Sequence, residues 1–166
     1  MGIESPTTTV MEIPSTTFLD HWQGHRRLTR RLIEAFPEDK IFTYSIGGMR
    51  PFSDMVIEFL GMAIPGIRPG IRGMVTGVWK GNEWPRPTTK AELLQHWDEA
   101  TAEINHYWPQ LTTKRLLETD KAFGQWEGTV FSFLHYFIDN EIHHRAQGYV
   151  FLRSLGIEPP AFWDTI

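Results

Sequence analysis

The 166-residue sequence contains no cysteine. That excludes disulfides, thiolate zinc sites and a cysteine nucleophile, and leaves His, Asp and Glu as the source of any metal chemistry. Long apolar runs are missing too. No stretch approaches the ~18 residues that a membrane-crossing helix requires, so no membrane partner is expected. Met1 to Pro14 lacks a charged region followed by an apolar one, which is not a signal peptide, and a cytoplasmic protein is the expectation. A basic excess is also lacking: the net charge is −4 and the pI near 6.0. Nucleic acid is therefore not the expected partner. Internal repeats and low-complexity tracts are absent.

What remains is an ordinary globular composition, 41% hydrophobic and 22% charged, of a length that suits a single domain over residues 1–166. Aromatic content of 13%, with seven Trp, suggests a core or pocket lined by large rings. Residues 1–15 are rich in Ser, Thr and Pro and read as a flexible or strapped-down arm.

The spacing of apolar residues predicts four helices. The first starts at a cap among Ser15, Thr16 and Thr17 and runs to about Phe36. Phe18, Trp22, His25, Leu32, Ile33 and Phe36 share one face, and Arg26, Arg27, Arg30 and Arg31 form a solvated flank. A long connection, 37–51, carries Gly47 and Gly48. The second helix spans about Phe52 to Ile64 and is stopped or sharply interrupted at Pro65, and residues 65–87, rich in Gly and Pro, read as a broken second half of that helix and then a loop. Thr88 or Thr89 opens the third helix, with Glu92 placed for a capping box, and Pro109 ends it. A short polar link, 110–125, leads to the fourth helix, from near Gly128 to about Leu155, closed by Gly156. Four helices without strand alternation make an all-α four-helix bundle.

The fourth helix carries Asp139-Asn-Glu-Ile-His-His-Arg-Ala-Gln-Gly148. On a wheel of about 100° per residue His144 falls on the stripe of Phe133, Phe137, Phe151 and Leu155, with Asn140 one turn before it. An i,i+4 pair aims two side chains at one point, the way one helix offers two ligands to a metal; the alternative is a hydrogen-bonded core histidine. His143 falls on the flank and His135 faces outward. Glu58, between Met55 and Met62 at the edge of the second helix's stripe, needs a cation or donor if buried, or else reaches solvent. His25 sits centrally on the first helix, one turn after His21, within reach of joining such a site. A di-iron pattern, Glu103-x-x-His106 with Glu141-x-x-His144, is weakened because Glu103 and His106 point away from Leu93, Trp97 and Ile104. Gly66 to Gly73 lacks the strand and spacing of a phosphate loop, and Ser132 with His135 has no third group to make a nucleophile.

The stretch Leu134 to Pro160, with His-His-Arg-Ala-Gln-Gly and then Phe-Leu-Arg-Ser-Leu-Gly-Ile-Glu-Pro-Pro, resembles the signature of the DinB/YfiT-like family. Met49-Arg-Pro-Phe-Ser-Asp-Met-Val-Ile-Glu58 is similar to the opening of that family's second helix, and the likeness covers about Phe18 to Trp163. The resemblance implies an up-down-down-up bundle, a homodimer, and a divalent metal such as zinc or nickel held by three histidines. Those three positions fall here at Glu58, Asn140 and His144, only one of them a histidine. Glu for His favours a harder ion such as manganese, and Asn for His weakens the site. Two functions follow from the resemblance. One is a metal-dependent hydrolase or thiol transferase acting on a small molecule. The other is a non-catalytic bundle with a lost metal site that binds a small ligand or serves in stress.

Overall fold

The computed structural model describes residues 14–67, 86–122 and 125–165. The arm before residue 14 and most of the loop read at 65–87, with all but the first two residues of the Gly66–Gly73 stretch, lie outside the described residues. Helix α1 spans Ser15–Ala35 and a one-turn helix α2, Glu38–Ile41, follows in the long connection. Helices α3 (Phe52–Ile67), α4 (Lys90–Tyr107) and α6 (Val130–Ser154) complete the bundle. Between the last two lie a 3-10 turn at Trp108–Gln110, a short helix α5 at Thr113–Leu117, and strands β1 (Thr119–Ala122) and β2 (Trp126–Thr129).

The contacts fix the helix directions. Phe18 meets Phe131 and His135, while further along α1 Leu32 approaches Gly148, so α1 and α6 run parallel. Gln23 bonds Asn105 and Arg30 bonds Asp98, which makes α4 antiparallel to α1. Phe52 lies at Gly148 and Glu58 at Asn140, which makes α3 antiparallel to α6. The bundle is up-down-down-up, with α1 packed on α4 and α6, and α3 on the same two. The core is a continuous cluster that includes Trp22, Phe36, Phe52, Phe59, Trp97, Trp108 and Phe151.

Several helix boundaries follow local chemistry. Thr89 accepts from the Glu92 backbone N–H, and the Glu92 carboxylate reaches back to the Thr89 N–H, a complete capping box. Thr129 caps α6 by accepting from the Ser132 N–H. Gly156 takes the left-handed conformation, φ 74°, just beyond the end of α6.

Other expectations need correcting. No Ser or Thr side chain caps α1; Pro14 holds that position and its carbonyl accepts from Thr17 N. Helix α3 continues past Pro65 to Ile67, because a proline in the last turn forfeits only one i→i−4 bond. The 110–125 link holds α5 and a hairpin registered Thr119↔Thr129 to Ala122↔Trp126. Its four-residue strands are too short and too polar to show a period of two.

Arg26 is not solvated but 1% exposed. Arg27 and Arg31 do lie outward. They hold the tail: Arg27 donates to the Thr165 carbonyl at 2.8 Å, and Arg31 pairs with Asp164 at 2.7 Å. Gly24 makes this clasp possible, because a Cβ there would stand 2.7 Å from the Thr165 carbonyl oxygen.

Candidate functional site

Antiparallel packing of α3 on α6 brings Glu58, Asn140 and His144 to one point. Asn140 Nδ2 donates to Glu58 Oε1 at 3.1 Å. His144 Nε2 stands 3.6 Å from the same oxygen, too far for a hydrogen bond. The other Glu58 oxygen, Oε2, is 2.6 Å from Nη1 of Arg50, which reaches in from the connection before α3. His144 Nδ1 faces Gln147 Oε1 at 3.1 Å. A glutamine oxygen can only accept, so in this arrangement Nδ1 carries a proton, and in the neutral ring Nε2 turns its lone pair to the site. Gln147 Nε2 in turn donates to His143 Nε2 at 3.3 Å. The ring of Phe59 backs His144 at 6.1 Å between centroids.

Whether this set fits the divalent ion that the resemblance implies is a question of donors. A zinc or nickel site needs lone pairs converging at about 2.0–2.3 Å. Glu58 Oε1 and His144 Nε2 qualify. Asn140 does not, because it turns an N–H toward Glu58 while its Oδ1 is buried without a partner. The Glu58 charge is already met by a guanidinium. Among the described residues no three His, Asp or Glu side chains converge. The residues do not fit a three-donor site for zinc or nickel.

On its α1 side the same helix α6 carries a second polar group that sequence reasoning missed. Glu141 is 2% exposed and accepts from Thr29 Oγ1 at 2.5 Å. Arg145 spans Glu141 at 3.6 Å, Thr29 Oγ1 at 3.2 Å, the His25 carbonyl at 3.1 Å and His25 Nδ1 at 2.9 Å. His25 is thus tied to Arg145, and its partners among the described residues lie on this side of α6 rather than at Glu58. Burial, then the Arg145 charge, then His21 lower its pKa to about 4. Arg26 lies 3.9 Å over the Trp97 ring and donates to Thr101 Oγ1 and the Trp97 carbonyl. Burial lowers its pKa to about 10, against the pull of Glu141 and Asp98. Burial likewise pushes the Glu141 carboxyl up, opposed by Arg26, Thr29 and Arg145.

The spacing held a signal for these residues. Trp22, Arg26, Thr29 and Ile33 recur at i, i+4, i+7 and i+11, one stripe of a helix. Glu141 and Arg145 flank the line of Leu134 and Leu152. Two leads are not taken up by the described contacts. Ser132 Oγ donates to the Thr129 carbonyl as part of the cap, and His106 meets the Tyr107 ring edge-on at the end of α4.

The family model of the DinB family matches residues 8–165. Among solved structures, the chain is similar to a DinB-like protein from Bacillus cereus ATCC 10987, at 22% identity and a TM-score of 0.69. That match covers 88% of this chain and 95% of the other. It is also similar to a DinB-like protein from Bacillus subtilis, at 20% identity and a TM-score of 0.64, over 88% and 96% of the two chains. At these identities the structural likeness speaks for the fold alone. No curated protein matches. With residues 8–165 covered by one family model, in the bundle that its motifs imply, the chain belongs to the DinB family.

Proposed function

We propose that this DinB-family chain is a metal-independent bundle that binds a small molecule carrying an anionic group at Arg50, Glu58, Asn140 and His144. The observation that carries the reading is the saturation of Glu58. One carboxylate oxygen faces Arg50 and the other accepts from Asn140, so the protein itself supplies what a cation would. The unspent capacity lies elsewhere in the group. Arg50 has five N–H donors, its contact with Glu58 is made through one nitrogen, and its side chain is 45% exposed. His144 Nε2 and Asn140 Oδ1 add an acceptor each. An incoming carboxylate meets Arg50, and a hydroxyl or amine beside it meets the two acceptors. Charge-assisted bonds of this kind supply both affinity and orientation.

Protein purified without chelator or metal-affinity tag tests the reading through its metal content. We expect substoichiometric zinc, nickel and manganese, and no change in content on His144→Ala. We also expect the double variant Glu58→His with Asn140→His to gain zinc binding that the natural chain lacks. Stoichiometric metal in the natural chain, lost on His144→Ala, would overturn the proposal and favour a metal-dependent hydrolase or thiol transferase instead.

A further inference from the structure

Gln147 follows His144 by three residues and His143 by four, the two spacings at which side chains on one helix meet. It is half-buried and bonds both rings. Its carbonyl oxygen lies 3.1 Å from His144 Nδ1, and its amide N–H donates to His143 Nε2 at 3.3 Å. A neutral imidazole has one donor nitrogen and one acceptor, so the partner of the first decides how the second acts. With Nδ1–H given to Gln147, His144 Nε2 is left an acceptor, 3.6 Å from Glu58 Oε1. That oxygen is an acceptor too, and already takes the Asn140 N–H. Two acceptors face each other, at side chains 18% and 24% exposed, and a donor is what would satisfy both.

Gln147 therefore sets the sign of the hydrogen bonding here. Were its amide turned over, its NH2 would meet Nδ1, and His144 would show the site an Nε2–H instead of a lone pair. The contacts of Arg50 and Asn140 with Glu58 would be the same in either case.

We propose that Gln147 is a positioning residue that makes the site select a small hydroxycarboxylate over the matching oxo acid. This selection rests on the binding role given above to Arg50, Glu58 and His144, and adds the class of molecule and the residue that chooses it. Arg50 and His144 stand at the two oxygens of one carboxylate, which keeps head and hydroxyl within one small molecule. The ligand carboxylate meets Arg50 and its hydroxyl hydrogen meets Nε2. An oxo group brings only lone pairs, and would be a third acceptor beside Nε2 and Glu58 Oε1. An ammonium group brings three N–H groups to a place where both Glu58 oxygens are already engaged, so a hydroxyl is the closer match.

The tautomer is read directly by nitrogen NMR of the full-length protein carrying 15N-histidine, at about pH 8, above the ordinary histidine value of about 6.5. The His144 signals are assigned by their loss in His144→Gln. We expect a protonated Nδ1 and a pyridine-type Nε2 in the natural chain, and a mixture of tautomers in Gln147→Met. Gln147→Glu accepts but cannot donate, and should restore the protonated Nδ1. An unchanged Tm verifies that the variants fold. A His144 protonated at Nε2 in the natural chain, unaltered by Gln147→Met, or not rescued by Gln147→Glu, overturns the proposal.

Four three-carbon acids test the selection by NMR titration: lactate, pyruvate, propionate and alanine. Lactate should bind the natural chain about tenfold tighter than pyruvate. Gln147→Met should narrow that gap to about twofold, chiefly because pyruvate binds better, with propionate unchanged. A gain confined to one ligand is not what loosened packing produces. Arg50→Gln should weaken lactate and propionate alike, by about tenfold. Equal binding of lactate and pyruvate, both still weakened by Arg50→Gln, would leave the anion site standing and overturn the selection by Gln147. Alanine binding tighter than lactate overturns the hydroxyl. Binding indifferent to Arg50→Gln, or no binding of any of the four, removes the anion site and the selection with it.

Discussion

Two arginines neutralise two glutamates on different faces of α6, under opposite dielectric conditions. Arg145 and Glu141 are 6% and 2% exposed at the side chain, whereas Arg50 and Glu58 are 45% and 24% exposed. Removing one partner of a buried pair strands a charge, while an exposed pair contributes little. Arg145→Met should therefore cost about 3–5 kcal/mol, and Arg50→Met no more than about 1 kcal/mol, by urea denaturation at neutral pH. Equal losses would mean that burial does not decide the strength of these pairs. At this scale the sequence was only partly legible. The pairing of Asn140 with His144 is visible in their spacing, and Glu58 is joined to them only through the resemblance to the family. Arg50 was invisible, since it lies in a connection with no periodicity. Arg26 was read as part of a solvated flank, and Glu141 and Arg145 were not singled out as buried, because a charged side chain is expected to reach water; here Thr29, Trp97 and His25 give their charges partners inside.

Among the elements, close approach of helices is set by single small residues. A Cβ on Gly148 would stand 2.6 Å from Phe52 Cε2 and 2.9 Å from Leu32 Cδ2. Gly148→Ala gains about 1 kcal/mol of helix propensity but overpacks a junction of α1, α3 and α6 at a cost of about 1–3 kcal/mol. The expected outcome is a lower Tm, and a raised one would show that the junction relaxes freely. Thr89→Ala removes the capping box of α4 and should cost about 1 kcal/mol, again by denaturation. The four long helices were legible because their apolar stripes and caps are local signals. The α5 turn and the hairpin were not, because their pairing depends on backbone bonds that leave no mark on side-chain pattern.

For the molecule as a whole, the buried polar group between α1 and α6 links stability to acid. His25 would titrate near 6.5 in the unfolded chain and does so at about 4 in the fold. Between those values the unfolded chain binds a proton that the folded one refuses, so stability falls as the pH drops through that window. His21 on α1 and Arg145 on α6 are the charged neighbours responsible besides burial. Relative to wild type, His25→Gln should abolish roughly 1–2 kcal/mol of that fall, allowing for solvent screening at a half-buried site. Parallel stability curves for the two proteins from pH 7 to pH 4 would refute the assignment.

The clasp of Arg27 and Arg31 on Thr165 and Asp164 joins positions 138 and 133 residues apart. It ties the tail that follows α6 back onto α1, so the described chain closes into a loop. A force applied between Ser15 and Thr165 would therefore load this seam as well as the core, and the seam is made of a few exposed polar contacts over a bare glycine. It should part first, as a small early yield before the bundle opens, and added salt should lower that yield while leaving the main rupture in place.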